Sequence, residues 1–306
     1  MDSTGGVHTW GGNEYSQLGN SSTIESHVPI SISTIDGSIL NGKKIVAIAA
    51  GGFHNLALDD TGAVYAWGFN IYGEIGDGTF STMSNPIELQ GGDIGNKLIV
   101  AIACGYHHSI ALDNFGKIYI WGQAVGDDNA NLNLPKDISS KGSILDKAIV
   151  AITAGIGYTV ALDSTGTVHV WGVNGNGELG TGDTISMLEP VSLSGKGSFY
   201  NKQIIAIASS LHHCIALDNN GAVHTWGANQ IGQLGTGNQN AYLEPVLISN
   251  TETILYDKTI VAVSAGAGHS IAVDNTGATY AWGFGEHGQM GDGTTNNMWL
   301  PTQIQS

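Results

Sequence analysis

The chain has 306 residues, with 45 Gly, 6 Pro and 2 Cys, and its 26 acidic against 10 basic side chains give a formal charge of −16. That length permits one large domain or two ordinary ones. With 42% apolar and only 12% charged residues, the composition suits short buried strands joined by tight turns better than salt-bridged helices or a disordered chain. All ten basic residues are Lys, so no guanidinium is available to fork onto phosphate, and nucleic acid and anionic membrane are disfavoured as partners.

No apolar run approaches the length of a membrane span, and the N-terminus lacks a basic-then-apolar signal. Cys104 and Cys214 allow at most one disulfide, which predicts a cytoplasmic or otherwise intracellular protein; a secreted chain with its leader removed would carry the same two Cys.

Repetition organises the rest. Trp-Gly recurs at Trp10, Trp67, Trp121, Trp171, Trp226 and Trp282, at spacings of 57, 54, 50, 55 and 56 residues, so the repeat is roughly fifty residues long. A second motif runs in phase: Ala47–Leu58 (AIAAGGFHNLAL), Ala101–Leu112, Ala151–Leu162, Ala206–Leu217 and Ala262–Val273. Pro29, Pro86, Pro135, Pro190, Pro245 and Pro301 fall one per unit.

Residues 1–33 open the chain as an incomplete unit. Met1–Gly11 aligns with Leu162–Gly172, so Met1 stands where the second strand of a unit ends. Five full units follow, 34–90, 91–138, 139–194, 195–249 and 250–306, each read as four short strands named A to D. In 91–138 strand A is Leu98–Ala103, B is Ser109–Leu112, C is Lys117–Trp121, and D starts at Pro135, the proline marking an outer strand. Asp113–Gly116 is a tight B–C hairpin.

The Ala-rich A strand reads as the inner one, while Trp and Leu of B and C fill the space between sheets. Repeated four-stranded sheets without helical periodicity predict an all-β fold, a β-propeller of five complete units plus a C–D half blade, in one domain over 1–306. Three arrangements fit the half blade: a piece of a longer array, completion by a second chain through self-association, or five closed blades with the N-terminal hairpin packed outside.

These motifs resemble the regulator of chromosome condensation family. Its repeats run Ala-x-Gly-x-x-His-x-x-Ala-Leu, then Val-Tyr-x-Trp-Gly, then Asn-x-x-Gly-Gln-Leu-Gly. The last stands here at Asn70–Gly76, Asn174–Gly180 and Asn229–Gly235, with a variant at Gly285–Gly291. The resemblance spans essentially the whole chain and implies a protein-binding platform rather than an enzyme, with no cofactor. Its first specific implication is a guanine-nucleotide exchange factor for a Ran-type small GTPase. Exchange factors of the family use the A–B turns, which match Gly105–His108 and Ser210–His213, although none of the five turns carries an acidic residue. The competing expectations are a secreted enzyme inhibitor, a carbohydrate-binding propeller, and a structural fragment that assembles with another chain.

One His per unit precedes strand B: His54, His108, His213 and His269, with Tyr158 in the third full unit, and His107 and His212 doubling it in two. Repeat symmetry puts them on separate blades, whereas zinc needs its ligands within about 2.0–2.3 Å, so no metal site is expected. They read either as structural side chains bonding backbone or as a rim of partner-contacting imidazoles. In the C–D loops the candidate contacts are Tyr15, Tyr72 and His287, with Asp127 and Asp128 in the deviant loop Gln123–Asn133.

At the other end, Lys43, Lys97, Lys147, Lys202 and Lys258 each lie sixteen residues before Asp59, Asp113, Asp163, Asp218 and Asp274. This predicts cross-strand ion pairs of about 0–1 kcal/mol, with each Asp bracing its own turn. The dinucleotide-like match Gly175–Gly180 opens no apolar helix and is rejected. The repeat tryptophans are expected in the core.

Overall fold

The computed structural model describes residues 1–123 and 131–304. β1 (His8–Gly11) and β2 (Ser26–Ser31) form a two-stranded sheet. β3 (Ile45–Ala50), β4 (His54–Asp59), β5 (Val64–Gly68) and β6 (Met83–Glu88) form the first four-stranded one, and β7 (Ile99–Cys104), β8 (His108–Asp113), β9 (Ile118–Gly122) and β10 (Leu132–Asp137) the second. The third holds β11 (Ile149–Ala154), β12 (Tyr158–Asp163), β13 (Val168–Gly172) and β14 (Met187–Ser192). The fourth is β15 (Ile204–Ser209), β16 (His213–Asp218), β17 (Val223–Gly227) and β18 (Tyr242–Leu247); the fifth is β19 (Ile260–Ala265), β20 (His269–Asp274), β21 (Thr279–Gly283) and β22 (Met298–Gln303). Strand order within each sheet is sequence order, which is the five-and-a-half-unit count that the repeats require.

The chain divides into two compact units, residues 1–141 with 145–152, and 142–144 with 153–306. In the first, Leu56, Leu58, Val64 and Ile75 of one sheet pack against Ile99, Ala111, Tyr119 and Trp121 of the next. Val7, Ile32 and Leu40 meet Ile45, Ala57, Tyr65 and Trp67 in the same way. In the second, Ile215, Leu217, Val223 and Leu255 pack against Ile260, Ala272, Tyr280 and Trp282. Alternating strand residues thus fill the layer between consecutive sheets.

One carboxylate organises each B–C turn. Asp59 Oδ1 accepts from the backbone N–H groups of Thr61 and Ala63 and from the Thr61 hydroxyl, while Oδ2 accepts the Tyr65 hydroxyl at 2.9 Å. Asp113, Asp163, Asp218 and Asp274 repeat the pattern. Asp2 repeats it again, bonded to Thr4, Gly6 and His8, so Met1–Gly11 does stand where a unit's B–C hairpin should. The expected ion pairs form at Lys43–Asp59, 3.9 Å, and Lys202–Asp218, 3.1 Å.

Two local expectations need correction. Strand D does not start at its proline: Pro135 is the fourth residue of β10, inside the register shift between Leu132 and Lys136. An edge strand at a bulge has no ladder bond there for the missing N–H to break, so the strand runs through. The tryptophans also divide. Trp67, Trp121, Trp171, Trp226 and Trp282 are 0–2% exposed, but Trp10 is 61% exposed. Among the described residues β1 pairs with β2 alone, so Trp10 lacks the cross-strand B neighbour that Ser109 provides to Trp121.

Candidate partner-binding site

Because the strands alternate in direction, the A–B turns and C–D loops share one end of each sheet. The loops are built from within. Asn70 sends its amide to the Ser81 carbonyl at 2.9 Å and accepts the Ile75 N–H on Oδ1; Asn174, Asn229 and also Asn13 do the same at their positions. Four residues further on, a Gln or Glu folds back onto backbone, as Glu74 accepts the Tyr72 N–H and Gln17 the Tyr15 N–H. The carbonyl of that same residue accepts the indole N–H of the following sheet: Gln17 takes Trp67, Glu74 takes Trp121, Glu178 takes Trp226. Gly76 ends the motif at φ +82° because a Cβ there would lie 2.7 Å from the Trp121 ring.

The turn histidines fall into two classes. His54, His108, Tyr158 and His213 are at most 1% exposed, so they are not the surface rim that one reading of the sequence offered. Each is the first residue of its strand B, and for His54, Tyr158 and His213 the next sheet supplies the hydrogen-bond partner. Ser109 donates its hydroxyl to the Glu74 carbonyl, which leaves it only as an acceptor, so His54 Nε2 carries the proton and donates at 2.9 Å. His213 Nε2 likewise donates to Ser270, at 2.8 Å, while Ser270 donates to the Gln233 carbonyl. Tyr158 donates to the Ser210 and His213 carbonyls. Burial, reinforced by nearby histidines, holds His54 and His213 down to about 3 and His108 to about 4. His54 and His213 are thus neutral fasteners between consecutive sheets. His269, on the last sheet, is only half-buried.

His107 and His212 form the second class. Their side chains are 20% and 43% exposed, and each rests on a carboxylate that is 0–1% exposed: His107 Nδ1 lies 2.9 Å from Glu74 Oε1, and His212 Nδ1 3.0 Å from Glu178 Oε1. A carboxylate only accepts, so Nδ1 carries the proton in both rings. Burial pushes the Glu74 carboxyl up, against the pull of its backbone and His107 bonds. The turns hold no acid of their own, yet two of them receive one from the C–D loop of the preceding sheet.

The pairing could have been read from the sequence. The motif residue is Gln at Gln17 and Gln233, where the following turn offers Phe53 and Gly268; it is Glu at Glu74 and Glu178, where the turn offers His107 and His212. Of the loop candidates, Tyr15 and Tyr72 stand beside this end in the first unit, and His287 packs on Phe284, with ring centroids 5.6 Å apart, in the second. Asp127 and Asp128 lie outside the described residues. Phe53, Phe69 and Tyr106, not singled out from sequence, join Tyr15, Tyr72 and His107 in ring contact.

Residues 1–306 match the family of RCC1-like domains. The chain belongs to that family. Among curated relatives, the ultraviolet-B receptor UVR8 of Arabidopsis thaliana is 29% identical over 98% of this chain, which spans 66% of it. The human E3 ubiquitin-protein ligase HERC2 is 29% identical over the same share, of which the chain spans 5%. Human WBSCR16 superposes with a TM-score of 0.82 at 22% identity, over 98% of this chain and 76% of that one. The complex of Kap60 with yeast RCC1 (Prp20) gives 0.81 at 24%, over 100% and 72%. Prp20p of Saccharomyces cerevisiae gives 0.58 at 21%, over 100% and 87%. The sheets are therefore blades of an RCC1-like β-propeller, a protein-interaction fold, and the His–Glu pairs bridge consecutive RCC1-like blades at the turn-and-loop end.

Proposed function

We propose that the turn-and-loop end of these blades is the surface on which the domain receives a protein partner, and that a Ran-type small GTPase, whose nucleotide release the domain accelerates, is the first partner to test. The reading is carried by His107 and His212: they are partly exposed imidazoles, each oriented by a buried carboxylate, standing where the resemblance to exchange factors puts contact residues. A ring held by a carboxylate that cannot itself be reached contacts a partner without first losing side-chain freedom. Prp20p, which shares the fold, has been characterised for its binding to Gsp1p and histones, which makes a GTPase a rational starting point. No hydrolytic role is assigned to the domain.

The experiment is a nucleotide-release assay over a panel of small GTPases with the chain and its His107→Ala and His212→Ala variants. Faster release that either substitution slows by tenfold or more supports the proposal. No acceleration with any GTPase, or acceleration indifferent to both substitutions, removes it. The buried His54, His108 and His213 are unsuitable probes, because their loss would weaken blade packing.

A further inference from the structure

Six rings make one connected cluster on the first compact unit. Tyr15 lies with its ring centroid 4.7 Å from Phe53 and 5.0 Å from Phe69; Phe53 is 5.7 Å from Tyr106; Tyr72 and Tyr106 are each 4.7 Å from His107. Tyr15 is 38% exposed and the others are half-buried, so the cluster presents ring surface to solvent.

The fold does not require these rings. Equivalent positions in sister blades carry Gly157 for Phe53, Ala228 for Phe69, Asn176 for Tyr72 and Ala267 for Tyr106, with the same strands and the same loop bonds around them. Residues that packing leaves open, all aromatic and all touching, point to a ligand.

Charge indicates which ligand. All ten Lys stand at the openings of A strands, in a B–C turn, in a D strand or in the D–A connections; none is in an A–B turn or a C–D loop. The C–D loops of the first unit carry Glu14, Glu25 and Asp77, and Glu74 lies beneath His107. Among the described residues the cation–ring contact found is Lys43 over Tyr65, 5.8 Å from the ring centroid, at the opposite end of the sheet. Ring faces attract cations, and loops that carry acids but no competing ammonium group add to that attraction.

We propose that this cluster is a docking surface for a Lys- or Arg-bearing segment of a protein partner, whose cationic side chain lies over the rings. The proposal rests on the partner-binding reading above and gives part of that surface a chemistry.

The test is fluorescence polarisation at about 150 mM salt, near physiological ionic strength. The probe is a labelled dodecapeptide of alternating Arg and Gly, with its Glu-Gly counterpart and maltohexaose as competitors. The informative variant combines Phe69→Ala, Tyr72→Asn and Tyr106→Ala, each a residue that a sister blade carries, so the blades keep their packing; unchanged circular dichroism and melting temperature verify this. Phe284→Ala in the second unit is the control. The expected result is saturable binding of the Arg-Gly peptide, weakened tenfold or more by the triple substitution and left within twofold by the control. Equal binding by the triple variant overturns the proposal, because it makes the contact one of bulk charge. Competition by maltohexaose, without that of the cationic peptide, also overturns it and assigns the rings to sugar.

Running the same variants in the nucleotide-release assay separates the two readings. Release without peptide binding leaves the GTPase proposal standing and removes this one. Peptide binding that is lost with the rings, without release on any GTPase, does the reverse.

Discussion

The hydroxyl of Ser210 lies 2.7 Å from Nδ1 of His213 and donates to it, whereas the equivalent nitrogen of His54 faces Gly51 and has no hydrogen-bond partner among the described residues. Two blades therefore use the same fastener with different completeness. Ser210→Ala is expected to cost about 1–2 kcal/mol, the penalty for orphaning a buried acceptor, measured by urea unfolding. Gly51→Ser is expected to destabilise as well, although it brings the missing donor, because its Cβ would stand 2.6 Å from the Gly105 carbonyl oxygen. A stabilised Gly51→Ser variant would contradict that account.

Acid sensitivity follows from the same fasteners. Folded His54, His108 and His213 bind a proton only at about 3, 4 and 3, while the unfolded chain takes one up near 6.5. The unfolded state thus binds more protons between these limits, and stability falls as pH drops. Each residue contributes about 1.4 kcal/mol per pH unit. Above about pH 6.5 these groups contribute no slope. Unfolding midpoints measured from pH 7.5 to 4.5 should hold to about 6.5 and then decline steeply; replacing His54 by Tyr, as in the blade of Tyr158, should flatten the decline.

The Glu74–His107 pair should show as a coupling. His107→Phe alone leaves a buried carboxylate with one partner fewer and is expected to cost about 1–3 kcal/mol. Combining it with Glu74→Gln recreates the Gln17–Phe53 pairing of the preceding blades and should recover most of that loss. A double-mutant cycle giving less than about 0.5 kcal/mol of interaction would mean that the two residues act independently.

Tryptophans at equivalent repeat positions should differ sharply. Trp121→Ala removes a fully buried ring and the bond to the Glu74 carbonyl, and should cost about 3–5 kcal/mol. Trp10→Ala, at 61% exposure, should stay within about 0.5 kcal/mol. Intrinsic fluorescence offers a second readout: collisional quencher should reach Trp10 before the other five repeat indoles.

Much of this was legible in the chain because a repeat samples each position five times. Trp-Gly, the Asp of the B–C turn and the turn His locate the sheets and the ends of strands A, B and C to within a residue: strand A is expected from Leu98 and starts at Ile99. The proline was misplaced because its rule concerns a lost N–H, and an edge bulge has no bond there to lose. The site was harder to read. Within a turn, His107 and His108 are adjacent and alike; what sets His107 apart is Glu74 of the preceding sheet, 33 residues away in sequence. The clustering of Phe53, Phe69 and Tyr106 was hidden for the same reason, since its members come from different loops and meet only when neighbouring sheets stack.

The indole-to-carbonyl bonds give the chain an arrow. Each is made by a loop that lies about fifty residues upstream of the ring it holds, as Gln17 precedes Trp67 and Glu74 precedes Trp121. On the ribosome the socket is therefore synthesised, and closed by its own Asn, before the side chain that fills it emerges. Assembly in the order of synthesis never has to wait for a later segment to complete an earlier contact of this type.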